Sequence, residues 1–353
     1  MNGEDVMRRT CLLSIVITSM VISLACAQAQ DSSLYPEIQP LRSGYLEVSE
    51  LHSIYWEECG NPDGIPVIVL HGGPGGSAGP NMRRFFDPQR FRIILHDQRG
   101  AGRSRPTGEW RDNNTQLLIS DINRLRLHLG VEGKAILFGG SWGSTLAVAY
   151  AEAYPELVSG LVMRGVFLAS KAEIDYFYHG GAAVFFPDNW ERLRGILPEP
   201  EKLDYPRQLF DMTQSSDPAT RKKAIEGWAY YEIRMCAVGL TDEATENIVR
   251  QYSDEMMPFS VLENYYMMHG CFIDDDQLLR EADKIAHIPT FIVNGRFDAV
   301  CPPRTAYALA KKLKRVKLEF PPATGHVDSE SANQAALLRG VEWVADIIDK
   351  QYR

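Results

Sequence analysis

From residue 67 to residue 166 the chain keeps a rhythm that few folds accommodate. VIVLH (67–71), FRIILHD (91–97), KAILF (134–138) and LVMRGV (161–166) are largely aliphatic and too short for ordinary helices, so they read as buried strands. Between them, NTQLLISDINRLRLHLG (114–130) carries apolar residues at helical spacing and stops at Gly130, and a helix of small residues runs from Gly143 to Tyr154 ahead of Pro155. Strands alternating with helices imply an α/β fold, a mostly parallel sheet with helices on both faces. The rhythm lapses between about 168 and 288, where aromatic stretches such as YFYHGGAAVFFPDNW and GWAYYEIRM run at helical lengths between prolines. It returns with TFIVNG (290–295) and VKLEF (316–320), and a helix over about 331–351 closes the chain. The expected organisation is a core of residues 30–167 and 289–353 interrupted by a largely helical lid, 168–288.

Size and charge narrow the function classes. A chain of 353 residues can bury a full core. Its 46 acidic residues outnumber 37 basic ones for a net charge of −9, and its one basic run, Lys311 to Arg315, reads as a solvated helix end, so nucleic acid is not an expected partner. At the amino terminus Arg8 and Arg9 precede an apolar run, Cys11 to Ala25, followed by small residues suited to cleavage after Ala27 or Ala29. Residues 1–29 therefore read as an export signal, the run being shorter than the roughly 20 apolar residues a membrane span needs. With the leader removed, no stable membrane association is expected. Glu4 and Asp5 sit awkwardly in such a leader, which leaves an uncleaved anchor or a cytoplasmic protein as alternatives. Outside this segment Cys59, Cys236, Cys271 and Cys301 are scattered and fit no metal-binding spacing, so neither metal nor cofactor is expected. Cys236 and Cys271 could pair in an oxidising compartment, with buried free thiols as the alternative.

The chemistry is concentrated where strand 134–138 meets the next helix. There the chain reads FGGSWGST (138–145), a G-x-S-x-G turn between a strand and a helix. Such a turn is so tight that neighbours with side chains collide, and glycines let it lift the Ser141 hydroxyl above the sheet edge at a helix amino terminus. Free N–H groups there, including that of Trp142, suit a developing oxyanion. A serine nucleophile needs a base and the base an orienting acid, in the order Ser, Asp, His, each just past a later strand. Asp298 follows strand 290–295 and His326 follows strand 316–320. The competitors fit less well: His96 and Asp97 lie upstream of the turn, His269 lies in the lid, His287 precedes a strand, and His71 reads as ordering a loop. HGGPGGSAG (71–79), after the first strand, is expected to supply the second oxyanion donor, from Gly73 with Gly72 as the near rival. In DQRGAGRS (97–104), Arg99 and Arg103 are expected to brace that glycine-rich loop.

These motifs together resemble those of the proline iminopeptidases of the α/β-hydrolase superfamily. The resemblance spans nearly the whole chain beyond the leader: ECGNPDG (58–64), HGGPGG (71–76), DQRGAGRS, GGSWGSTLA (139–147), GRFDAVCP (295–302) and Gly325-His326. It implies a serine exopeptidase that releases an amino-terminal proline from peptides with a free amino terminus, with its triad at Ser141, Asp298 and His326. It also implies lid carboxylates that hold the substrate amine. GWAYYE (227–232) resembles the family's W-x-x-W-E pattern and puts one at Glu232; LENYY (262–266) resembles its E-N-H-Y pattern and puts one at Glu263. Tyr231, Ile233-Arg234, Tyr265 and Val327 depart from the family pattern, which leaves the strictness for proline open.

Two other readings compete. A carboxylesterase or amidase of the same fold would turn over substrates with blocked amines. A binding protein that had lost the reaction would fail to react with a fluorophosphonate at Ser141. Dehalogenase and epoxide hydrolase chemistry needs an aspartate where this chain has Ser141.

Overall fold

The computed structural model describes residues 34–252 and 256–351; the expected signal segment, 1–29, lies outside them. The strands are β1 (Arg42–Glu47), β2 (Ser53–Gly60), β3 (Ile65–Leu70), β4 (Phe91–His96), β5 (Ala135–Gly140), β6 (Val158–Arg164), β7 (Thr290–Val293) and β8 (Val316–Glu319). The helices are α1 (Thr115–His128), α2 (Trp142–Ala153), α3 (Lys171–Tyr178), α4 (Pro187–Arg194), α5 (Tyr205–Thr213), α6 (Pro218–Cys236), α7 (Asp242–Gln251), α8 (Met256–Met268), α9 (Gln277–Arg280), α10 (Pro303–Lys312) and α11 (Ser331–Gln351), with short 3-10 turns between.

One sheet of eight strands runs in the order β1-β2-β4-β3-β5-β6-β7-β8. Every pairing from β4 across to β8 is parallel, whereas β1 and β2 join antiparallel at one edge. The six apolar runs of the sequence form the parallel part. β1 and β2 have no such run: RSGYLE alternates exposed and half-buried residues, as an edge strand with one wet face does.

The period-two alternation of the buried strands sorts the core into two layers. Ile68 and Leu70 of β3 join Leu137, Leu161 and Met163 beneath α1 and α2, and this layer continues into the helices between β6 and β7. Val67 and Val69 face the other way, with Ile93, Leu95, Ile136 and Val162, onto Leu337, Val341, Val344 and Ile348 of α11. Each such side chain contributes about 1.5–3 kcal/mol on leaving water.

Helices α3 to α9 all fall between β6 and β7. Their packing is aromatic: Trp228 of α6 stacks on Tyr178 at 4.5 Å between ring centroids, and Phe177 and Tyr231 close around it. Local signals define the ends of these helices. Asp217 caps α6 by accepting from Ala219 and Thr220, with Pro218 at the first helical position, and Ser170 and Glu173 form a capping box on α3. No helix among the described residues is long and apolar enough to cross a membrane.

Candidate active site

The carboxyl end of β5 delivers Ser141 at φ 57° and ψ −128°, a conformation that costs a non-glycine residue about 1–3 kcal/mol. The neighbouring structure holds it there. The Ser141 N–H donates to the Arg164 carbonyl at 2.9 Å, and the Ser144 hydroxyl donates to the Ser141 carbonyl at 2.6 Å. Two glycines are sterically compulsory: a Cβ on Gly139 would lie 2.3 Å from the Gly143 carbonyl oxygen, and one on Gly143 2.0 Å from that of Leu70. Ser141 therefore sits at the head of α2, whose first residue is the fully buried Trp142.

Past β7, Asp298 turns its carboxylate inward. Its Oδ1 accepts the N–H groups of Val300 (3.0 Å) and Cys301 (2.8 Å), and its Oδ2 lies 2.8 Å from Nδ1 of His326, which follows β8. Both side chains are buried. The His326 loop is clamped through its backbone. Its N–H donates to the Cys236 carbonyl at the end of α6 (2.7 Å), and its carbonyl accepts from the Arg164 guanidinium. Glu330 accepts from the Gly325 N–H (2.6 Å) with one oxygen and from the Val238 N–H (3.0 Å) with the other, tying this loop to the residues after α6.

The glycine-rich loop after β3 is set by two networks. His71 Nδ1–H donates to the Gly72 carbonyl (2.8 Å) while Nε2 accepts from the Gln98 N–H (2.9 Å), so the ring is the neutral tautomer, and burial lowers its pKa in the same sense. Gln98 in turn donates to the His71 carbonyl and accepts from the Trp142 indole N–H, both at 2.9 Å, joining the loop to the head of α2. Asp97 accepts the Ala78 N–H (2.8 Å) and pairs with Arg103, which also donates to the Ala78 carbonyl. Burial alone would raise the Asp97 pKa, but Arg103 outweighs it and the net shift is downward. Arg103 thus braces the loop. Arg99 does not: it makes a buried two-point pair with Asp121 of α1 (2.6 and 2.9 Å) and donates to the carbonyls of Asp112 and Val48.

From above, α6 and α8 bring Glu232 and Glu263 together. Both are buried and close enough for one carboxyl to hydrogen-bond the other. Burial, reinforced by the charge of Glu232, pushes the Glu263 carboxyl well above the usual range; burial also raises Glu232, tempered by the hydrogen bond from Glu263. Glu263 Oε2 accepts the Trp228 indole N–H at 2.8 Å, whereas Glu232 Oε2 has no hydrogen-bond partner among the described residues. Two of the family departures lie outside this cluster: the Tyr231 hydroxyl donates to the Phe177 carbonyl (2.7 Å), and Tyr265 packs among Trp110, Phe210 and Phe272.

Two cavities meet at Ser141. The smaller, about 350 Å³ including its open mouth, is walled by Phe167, Phe177 and Cys301 and reached by Glu232 and Glu263. The larger, about 840 Å³ including its open mouth, is lined by His326, Arg164 and Glu232; Gly73 borders both cavities and Gly72 the larger. Of the residues singled out in the sequence, Ser141, Gly73, Glu232, Glu263 and His326 line this space, with Trp142 and Asp298 behind it. Sequence reasoning passed over Arg164, Gln98 and Glu330. Arg164 carried a signal, being the charge that interrupts LVMRGV at the carboxyl end of an apolar strand. All four cysteines among the described residues are buried free thiols, so Cys236 and Cys271 are not paired. Among the described residues no group of three or more His, Cys, Asp or Glu is arranged to hold a metal ion.

Residues 65–332 match the α/β hydrolase fold family. The chain is 44% identical over 318 residues to the proline iminopeptidase of Xanthomonas citri, covering 89% of this chain and 99% of that protein. It is 44% identical over 310 residues to a probable proline iminopeptidase of Leptolyngbya boryana, covering 86% of this chain and 94% of that one. Among solved structures, proline iminopeptidase from Mycobacterium smegmatis superposes with a TM-score of 0.59 at 20% identity, over 87% of this chain and all of that one, a likeness of fold. Given 44% identity along nearly the full length of such a relative, the chain belongs to the proline iminopeptidase family of the α/β-hydrolase fold.

Proposed function

We propose that the protein is a serine aminopeptidase that releases an amino-terminal residue, proline above others, from peptides. Ser141 Oγ attacks the carbonyl of the first residue while Nε2 of His326 takes its proton. Asp298, held by two backbone N–H groups, keeps Nδ1–H of His326 pointed away and so leaves Nε2 free to act as the base. The N–H of Trp142, which as the first helical residue has no intrahelical acceptor, and that of Gly73 stabilise the oxyanion. His326 then protonates the leaving amine, and water resolves the acyl-enzyme. No metal or organic cofactor enters the reaction.

The observation that carries the reading is the carboxyl pair beside the nucleophile. Glu232 ends in a buried oxygen without a partner among the described residues, and its neighbour Glu263 is held well above the usual carboxyl range. A buried acceptor left open in this way has its partner supplied by the substrate: a protonated amino terminus donates to it, and the pair discharges its excess proton as the cation arrives. Phe167 and Phe177 offer apolar walls for a pyrrolidine ring.

Hydrolysis of prolyl-, alanyl- and leucyl-naphthylamides, each with a free and an acetylated amine, tests this. Free prolyl substrate should lead by at least about tenfold, and acetylation should abolish turnover. Equal turnover of acetylated substrates would make the protein an esterase or amidase with bystander glutamates.

A further inference from the structure

The two cavities share Ser141, Gly73 and Glu232 but differ in everything else, and the difference orients a substrate. Glu263 borders the small cavity only, so an amine held by the carboxyl pair, with its first residue, lies on that side. His326 borders the large cavity only. Because the general acid must reach the departing nitrogen, whatever follows the scissile bond extends into the large cavity.

On these grounds, which rest on the aminopeptidase reading above, we propose that the large cavity is a specificity site for the second residue of the substrate and selects bulky apolar side chains there. Its walls are Met82, Ile233, Met256, Phe259 and Val327. The chain brings them from four separate places: the turn after the glycine-rich loop, helix α6, helix α8, and the residue after His326. Two fixed charges besides Glu232 border it, Arg164 and Asp328, and they are of opposite sign. Arg164 already donates to the His326 carbonyl. A charged second side chain therefore meets apolar walls and, whichever its sign, a like charge as well as an opposite one, whereas an apolar one leaves water against methionine and phenylalanine side chains that adapt to its shape. The small cavity cannot perform this selection, since the first residue fills it. Discrimination by an apolar pocket of this kind amounts to about 10–200-fold.

The test uses the full chain and a series of carboxy-amidated dipeptides, so that no substrate carboxylate approaches Arg164: Pro-Phe-NH2, Pro-Leu-NH2, Pro-Gly-NH2, Pro-Lys-NH2 and Pro-Asp-NH2. Prolinamide, whose leaving group is ammonia, reports the reaction without the large cavity. We expect kcat/KM for the Phe and Leu dipeptides to exceed that for Gly by about tenfold or more, with Lys and Asp at or below Gly. Phe259→Ala should reduce the ratio of Pro-Phe-NH2 to prolinamide measured on the same preparation. Met82→Glu, at a partly buried position on the cavity wall, should raise Pro-Lys-NH2 relative to Pro-Phe-NH2 by at least about tenfold, and it decides the matter where Phe259→Ala fails to fold. If prolinamide and every dipeptide resist the wild-type enzyme, the aminopeptidase reading itself falls. If prolinamide is cleaved but the second residue makes no difference, or Lys or Asp leads, that reading stands and the specificity site is overturned. It is equally overturned if the apolar preference survives Met82→Glu unchanged.

Discussion

The two ends of the site treat a buried carboxylate in opposite ways. Asp298, at the sheet edge, is saturated: two backbone N–H groups occupy one oxygen and the His326 imidazole the other. The Glu232–Glu263 pair, in the helices above, is left short of donors among the described residues, with one indole N–H on Glu263 and nothing on Glu232 Oε2. A carboxylate whose acceptors are all filled by the protein holds another group in place. One whose acceptors are left open costs about 1–3 kcal/mol of unmade hydrogen bonding, and a guest that supplies the missing donor recovers it. On the aminopeptidase reading proposed above, the sheet half is complete before substrate arrives, while the helical half is completed by the substrate.

The comparison breaks most visibly at the sheet end. Ser141→Ala should lower kcat on a prolyl-naphthylamide by about a millionfold and abolish fluorophosphonate labelling. Asp298→Asn should cost about ten-thousandfold, because an amide there favours the wrong His326 tautomer while the surrounding hydrogen bonds largely remain. At the helical end the losses should be smaller and unequal. Glu232→Gln removes the open acceptor and the charge that meets the amine, worth about 30–3,000-fold in kcat/KM on free-amine substrates. Glu263→Gln should cost only about tenfold. Burial raises both carboxyls, so the pair shares a proton, and a glutamine amide at 263 still offers Glu232 a donor in its place. Equal losses for the two glutamines in a steady-state comparison would mean that both carboxylates are ionised, and the shared-proton account would fail.

The same contrast explains what could be read from the residues. The sheet end is local: Gly139, Ser141 and Gly143 are constrained by backbone atoms a few residues away or on the adjoining strand, so spacing alone reveals the turn, and the strand ends bring Asp298 and His326 into order. The pairing of Glu232 with Glu263 is a product of how α6 crosses α8 around Trp228, which no periodicity encodes; only the likeness of GWAYYE and LENYY to family patterns pointed there. β1 and β2 escaped notice because the outer strand has a wet face and β2, though buried, carries Glu57 and Glu58 in ion pairs with Arg83 and Arg92 where an apolar run would stand. The assignment of Arg99 to the glycine-rich loop failed for a related reason. Arg99 and Arg103 are near neighbours in one motif, yet a buried Asp121 contributed by α1 captures the first of them.

Glu330 joins the two halves, and its removal should have an intermediate effect. It holds the His326 loop through Gly325 and the segment after α6 through Val238, one oxygen to each. Glu330→Ala should release both and lower kcat about tenfold as His326 loses its fixed approach to Ser141. Glu330→Gln keeps one acceptor oxygen and should recover part of that loss. A fall in KM-dependent terms with kcat unchanged would mean that Glu330 serves only the helical half.

The smallest effect concerns a third buried carboxyl that belongs to neither half. Glu152 lies at the far end of α2 from Ser141, and neither of its oxygens has a hydrogen-bond partner among the described residues. Burial chiefly, with the charge of Glu281 added and that of Lys284 opposing, pushes its pKa up to about 8. Because the folded pKa lies above the ordinary value of about 4.5, the folded state binds this proton more tightly than the unfolded chain does. Stability is therefore full below about pH 4.5, declines as the pH rises towards 8, and is flat beyond it. Glu152→Gln cannot ionise, so its thermal midpoint should match the wild type near pH 4.5 and exceed it at pH 9, by about 2–4 °C for each kcal/mol regained. Prolyl-naphthylamide turnover at pH 7 should be the same for both proteins. Midpoints of wild type and variant that run parallel from pH 5 to pH 9 would instead mean that a donor holds the Glu152 carboxylate in the ordinary range. That donor would make it a carboxyl of the saturated kind, like Asp298.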